Sequence, residues 1–225
     1  MPIKTSAIAT ILSLTLIAAP CPELAAQTTS HTVLDRLEAD IGRAEDVSAI
    51  KRLQRTYGYY LDKNLWNDLA DLFAEESSME LAQRGNYVGP GRVRGFLLNV
   101  FGRGGEGPVE GQLGNHIQWQ PVISVSDDGL SARIRSRMYQ QMSRGERASM
   151  GAAIYENAVA KENGRWKFSR VHAFNTWGGG YADGWVGNAS TYVPGPSADF
   201  PPDGPPTLEF QMFPNVYDIP YHYTN

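Results

Sequence analysis

Proton transfer near neutral pH calls for an imidazole, and this chain has four histidines, His31, His116, His172 and His222. His116 stands out among them. It follows a loop rich in glycine (Gly102, Gly104, Gly105, Gly107, Gly111) and opens an apolar strand. A histidine there can both take and give a proton, and a nearby carboxylate would fix its tautomer and stabilise the imidazolium. The competing reading is a strand-end histidine bonded to a loop carbonyl. His172 shares strand parity with Trp166 and Phe168, so it is expected to face the interior, as a second acid–base group or as a satisfied core histidine. Asp62 closes the first long helix; taken alone, it is an exposed helix-end carboxylate or a loop cap. Tyr57 and Tyr60 lie on that helix's apolar stripe, as packed tyrosines or as hydroxyl donors. Tyr57 precedes Asp62 by five residues and so does not share its helix face.

Other chemistries find less support. There is no HxH or HExxH spacing for a metal, and the single cysteine is Cys21. No G-x-S-x-G elbow is present, so a Ser/His/Asp nucleophile is not indicated. The glycine-rich loop lacks a Lys-Ser/Thr ending and a preceding apolar strand, which excludes a phosphate-binding loop and a dinucleotide fingerprint. We therefore expect no metal and no cofactor. With 20 Lys+Arg against 24 Asp+Glu, the net charge of −4 and the lack of a basic cluster argue against nucleic acid.

Positioning these side chains requires particular elements. Residues 31–74 are predicted helical: Val33, Leu34, Leu37 and Ile41, then Val47, Ile50, Leu53, Tyr57, Tyr60 and Leu61 recur at helical spacing, weakened at Gly42. Asn64 would cap a shorter helix over 65–73. A strand-like piece, 77–81, leads to a turn at Gly85-Asn86, and Gly89-Pro90-Gly91 opens a third short helix. From Asn115 the pattern is β, with turns at Asp127-Asp128-Gly129 and Glu162-Asn163-Gly164. Arg133, Arg135 and Arg137 alternate along one strand face, read as solvated or interface-lining rather than as an anion clamp. The fold class is α+β: a curved antiparallel sheet packed by three N-terminal helices.

The stretch from Tyr57 through Asp62 and Trp66 to Phe73 resembles the opening helices of the SnoaL-like branch of the nuclear-transport-factor-2-like superfamily. Asn115-His116, the run Tyr155 to Phe168 that includes Asn157 and Trp166, and then His172 are similar to its later strands. The resemblance spans residues 45–177 and implies a cone-shaped barrel with a pocket between sheet and helices. It also implies that Asp62 and His116 point into that pocket. The superfamily includes dehydratases, isomerases, epoxide hydrolases, cyclases, lyases of lignin-derived aromatics and non-catalytic modules, so fold alone does not fix the reaction.

The expected function is a cofactor-independent lyase acting on a small hydroxylated aromatic compound, with loss of water or of formaldehyde. His116 would be the base, Asp62 its orienting partner, and Tyr57 or His172 the oxygen-stabilising group. Tyr60, Trp119, Tyr155, Asn157, Trp166 and Phe174 are the candidate substrate contacts. An isomerase or cyclase, a ligand-binding module and an oligomerisation domain remain as alternatives. Residues 1–26, with Lys4, an apolar run over 7–19 and small residues before position 27, read as a cleaved signal for a secreted or periplasmic protein; the run is too short to span a bilayer. Residues 27–44 would form a helical extension. Residues 178–225, rich in Pro, Tyr and Phe, would form an extended arm across the domain or a neighbour in a homodimer or higher homo-oligomer.

Overall fold

The computed structural model describes residues 22–187, 194–209, 211–216 and 218–223, with side chains from residue 32 onward. The expected signal segment falls largely on residues 1–21, and three arm aromatics are Tyr192, Phe210 and Tyr217; all of these lie outside the described residues. The chain divides into two compact units, 1–41 and 42–225. In the first, the helix carries exposed Val33, Leu34, Leu37 and Ile41.

Helix α1 (Pro22–Asp62) runs through Gly42 without a break. In the second unit, its residues Ile50, Leu53 and Tyr57 are buried, as their spacing requires. The helix ends in a Schellman motif: Asn64 has φ 54°, its N–H bonds Leu61 O, and Leu65 N–H bonds Tyr60 O at 3.0 Å. Asn64 thus closes α1 rather than capping the next helix. That helix, α2 (Trp66–Ala70), starts after Leu65 without a side-chain cap. Strand β1 (Phe73–Leu81) begins earlier than its polar core suggested. Strand β2 (Asn86–Val88) and helix α3 (Pro90–Phe96) follow, α3 continuing into a π-turn over Leu97–Phe101.

The remaining strands are β3 (Gln112–Val125), β4 (Ser131–Arg144), β5 (Arg147–Glu162) and β6 (Arg165–Gly180), before a short helix α4 (Gly184–Gly187). The sheet order is β2-β1-β6-β5-β4-β3. It is mixed rather than wholly antiparallel, because β1 lies parallel to β6, with Met79 opposite Val171 and Glu80 opposite His172. Its inner face packs on α1 through Ile134, Met138, Tyr155, Val159 and Phe168 in one hydrophobic core with Tyr57.

Side-chain direction does not alternate evenly along this sheet. Phe168 pairs with Val159, but Arg170 pairs with Ala158, so Ser169 is an extra residue and β6 changes face there. Phe168 points into the core, whereas Arg170, His172 and Phe174 project from the outer face, away from α1. A second shift, between Ala152 and Ala153, carries Trp177 to the outer face opposite Ala152. On β3, a shift between Trp119 and Val122 coincides with Gln120 at φ 51°.

The C-terminal arm is fastened to the outer face and to α3. Asp203 accepts from Val88 N and Arg92, Phe200 stacks on Tyr87, and Thr207 donates twice to Glu80. Phe213 N bonds Thr176 O, and the Arg135 guanidinium reaches the carbonyls of Ile219 and Pro220.

Candidate active site

Asp62 and His116 meet where the end of α1 crosses the start of β3. Two glycines permit the approach. A Cβ on Gly114 would lie 3.2 Å from Asp62 O, and one on Gly58 would lie 3.1 Å from His116 O and 3.0 Å from Gln118 Cγ. With only hydrogens there, helix and strand pack closely enough for one Asp62 oxygen to do two jobs. Oδ1 accepts from the His116 backbone N–H at 2.7 Å and sits 2.7 Å from His116 Nδ1. The backbone bond holds the carboxylate, the carboxylate holds the ring, and Nε2 is left as the nitrogen able to exchange a proton with a substrate. Their side chains retain 14% and 11% exposure. The glycine-rich loop is tied to the same corner: Gly107 N–H bonds Asn64 O, and Asn64 Nδ2 bonds Gly107 O.

Behind the pair lies a polar interior absent from the sequence expectations apart from Asn157 and the tyrosines. Asn157 Nδ2 donates to Gln54 Oε1 at 2.9 Å, and Gln54 Nε2 donates to Gln118 Oε1 at 3.0 Å. The chain ends beside Tyr155. Burial pushes the Tyr155 phenol up to about 12, with the Asp62 charge acting in the same direction and the neighbouring Tyr57 hydroxyl and Gln118 amide opposing it. Burial likewise pushes Tyr57 well above its ordinary value, and its hydroxyl approaches Tyr155 without a well-formed hydrogen bond. Both phenols are therefore neutral donors across the physiological range. Gln54 was legible in principle, being a polar residue on the buried stripe of Ile50, Leu53 and Tyr57. Gln118 shares strand parity with His116.

The structure brings Asp62, His116, Tyr155 and Tyr57 together, with Tyr60 half-buried against the same core. It does not bring His172, Phe174, Trp119 or Trp166 to them. The bulge at Ser169 overturns the parity expected for His172, which lies 3.2 Å from Glu80 on the outer face and stacks on Phe174 at 3.9 Å. Trp119, opposite Arg137, is also on the outer face and 48% exposed. Trp166 is buried at the far end of the core, where its indole N–H bonds Asp46 Oδ1 at 2.8 Å. Asn157 serves the interior relay rather than touching the pair.

Neither of two cavities formed by the described residues is lined by Asp62 or His116. Among the described residues, no group of three or more His, Cys, Asp or Glu is placed to hold a metal ion. No described helix is long and apolar enough to cross a membrane.

Solved structures share the architecture. A candidate scytalone dehydratase from Novosphingobium aromaticivorans DSM 12444 is 20% identical, with a TM-score of 0.55 over 71% of this chain and 97% of that one. The hexachlorocyclohexane dehydrochlorinase LinA-type3 from Novosphingobium barchaimii LL02 is 18% identical, with a TM-score of 0.55 over 69% of this chain and 99% of that one. At these identities the likeness establishes the fold. Curated proteins offer no match to the sequence. The SnoaL-like domain model matches residues 42–172, more than half of the chain and the whole span from mid-α1 to His172. This protein belongs to the SnoaL-like domain family, within the nuclear-transport-factor-2-like fold.

Proposed function

We propose that the chain is a cofactor-independent lyase whose base is His116. The observation that carries this reading is the shared Asp62 Oδ1, which fixes the imidazole through both its ring and its own backbone N–H. In a dehydration, Nε2 removes a proton from carbon, a double bond forms, and the hydroxyl on the adjacent carbon leaves as water. The proton for that leaving oxygen comes from the imidazolium, while the neutral Tyr155 phenol donates a hydrogen bond to the developing oxygen charge. The similarity to a candidate scytalone dehydratase and to a dehydrochlorinase supports elimination chemistry without a cofactor.

A small hydroxylated aromatic substrate suits an approach past the glycine-rich loop to a partly exposed pair flanked by Tyr57 and Tyr155. Loss of formaldehyde from a hydroxymethyl carbon, as on a lignin-derived diaryl compound, would need the same base. The test is a panel of aryl diols scored by product mass, which separates loss of water from loss of formaldehyde. We expect turnover to fall at least a hundredfold in His116→Gln; undiminished turnover in that variant would overturn the assignment.

Export and self-association are part of the same reading. The N-terminal segment supports a secreted or periplasmic location, tested by sequencing the N-terminus of the secreted protein; export without removal of about 26 residues contradicts it. Homo-oligomerisation is supported by exposed Leu113, Ile117, Trp119 and Val122 along the edge strand β3. Sedimentation should show a dimer or larger assembly that Trp119→Glu dissociates.

A further inference from the structure

On the outer face of the sheet, the arm roofs a cavity of about 360 Å³, a volume suited to a small organic ligand. Its floor includes Arg133, Arg170, His172 and Phe174, and its roof includes Tyr221 and His222. The charges in it do not balance. Glu156 is engaged by both Arg135 and His222, and Glu80 by His172 and Thr207. Neither Arg133 nor Arg170 pairs with a carboxylate among the described residues. Both lie opposite Ala158 in register, one on each neighbouring strand, so their backbones stand about 10 Å apart across a small side chain. Arg170 Nη2 lies 2.6 Å from His172 Nδ1, which makes that nitrogen an acceptor and leaves the rest of the guanidinium fork open.

A second, independent observation points to a ligand. The His222 side chain is only 3% exposed; its Nδ1 is 2.9 Å from Glu156 Oε2, and its Nε2 is buried with no hydrogen-bond partner. A buried ring nitrogen without a partner, on a residue that lines a cavity, is rare unless something else supplies one. The remaining lining is apolar, with Phe174, Leu208 and Tyr221 offering ring and alkyl contacts.

We propose that this cavity is a second, non-catalytic binding site for a small aromatic carboxylate. The carboxylate bridges Arg133 and Arg170, the ring lies against Phe174 and Tyr221, and a polar substituent at the far end meets His222 Nε2. The site is separate from Asp62 and His116, which lie at the inner face of the same sheet.

Calorimetric titration of the full chain with 4-hydroxybenzoate at pH 7 tests it. The expected result is saturable binding at one site per chain, weakened at least tenfold in Arg133→Gln and in Arg170→Gln and unchanged within twofold in His116→Gln. The neutral analogue 4-hydroxybenzamide, which needs no variant, should bind at least tenfold more weakly. Absence of binding at 10 mM overturns the proposal, as does equal affinity for the amide. Binding that His116→Gln abolishes, or that both arginine variants leave intact, also overturns it.

Discussion

Replacing Gln54 by leucine tests the interior relay without needing a substrate. Gln54 is 3% exposed, accepts from Asn157 Nδ2 and donates to Gln118 Oε1. Leucine removes both bonds and leaves two buried polar groups without partners, at about 1–3 kcal/mol each. The added apolar surface offsets about 1 kcal/mol, since glutamine's own methylenes are already buried. The net loss is about 3 kcal/mol, or roughly 6–12 °C in Tm for a domain of this size. The double variant Gln54→Leu/Asn157→Leu sharpens the test. Asn157→Leu alone orphans Gln54 Oε1 and the His172 N–H that Asn157 Oδ1 accepts. The pair together leaves only Gln118 Oε1 and that N–H, two orphaned groups fewer than the single variants combined, so its cost should fall short of the sum by about 4 kcal/mol at about 2 kcal/mol per group. Urea unfolding of the four proteins measures this. Additive costs, or a Gln54→Leu variant as stable as the parent, would refute the relay as a set of satisfied bonds.

Three further outcomes follow from the same geometry. Tyr155→Phe should lower turnover about 10–100-fold by the same factor from pH 6 to 9, because a phenol pushed up to about 12 does not titrate there; a factor that changes with pH would count against it. Gly114→Ala places a Cβ 3.2 Å from Asp62 O, against backbone that yields only by moving the helix end. Activity should drop at least tenfold, while urea unfolding changes by less than about 1.5 kcal/mol. For Asp46, burial raises the carboxyl pKa, but bonds from Lys161 and Trp166 outweigh it and hold the group below its ordinary 3.8. A lowered folded pKa contributes stability that is full above the unfolded value and disappears as pH falls through the folded one. The advantage of the parent over Asp46→Asn in urea should accordingly be constant near neutrality and shrink below pH 3.8; growth of that advantage in acid would contradict the pairing.

The long-range layout was legible because it rests on periodicity and turn chemistry. Ile50, Leu53 and Tyr57 announced the buried helix face, and Asp127-Asp128-Gly129 and Asn163-Gly164 announced the hairpins. Asp62 and His116 were named from sequence, but only resemblance suggested their meeting; Gly58 and Gly114 make it possible, and close approach leaves no trace in hydropathy. Two placements failed for one reason. Counting by twos assumes an unbroken ladder, and β6 gains Ser169, so His172 and Phe174 fall on the other face. Trp119 failed differently: it precedes the β3 shift and simply has the opposite parity to His116. The parallel pairing of β1 with β6 was invisible because no local signal distinguishes a parallel neighbour for a short strand.

The bulge at Ser169 also explains why one strand serves two unlike environments. Where pairing shifts, a backbone N–H loses its regular partner and must find another. Here His172 N–H bonds Asn157 Oδ1, and the same Asn157 passes its amide hydrogens to Gln54 inside the core. Asn157 is thus the joint between the arm-covered cavity and the interior behind Asp62 and His116. Its two ends serve opposite faces of the sheet. Leucine there would remove both functions at once. Aspartate would keep the acceptor for His172 N–H but bury a charge facing Gln54 Oε1. Neither substitute matches both neighbours, so this position is constrained by the bulge as much as by the core.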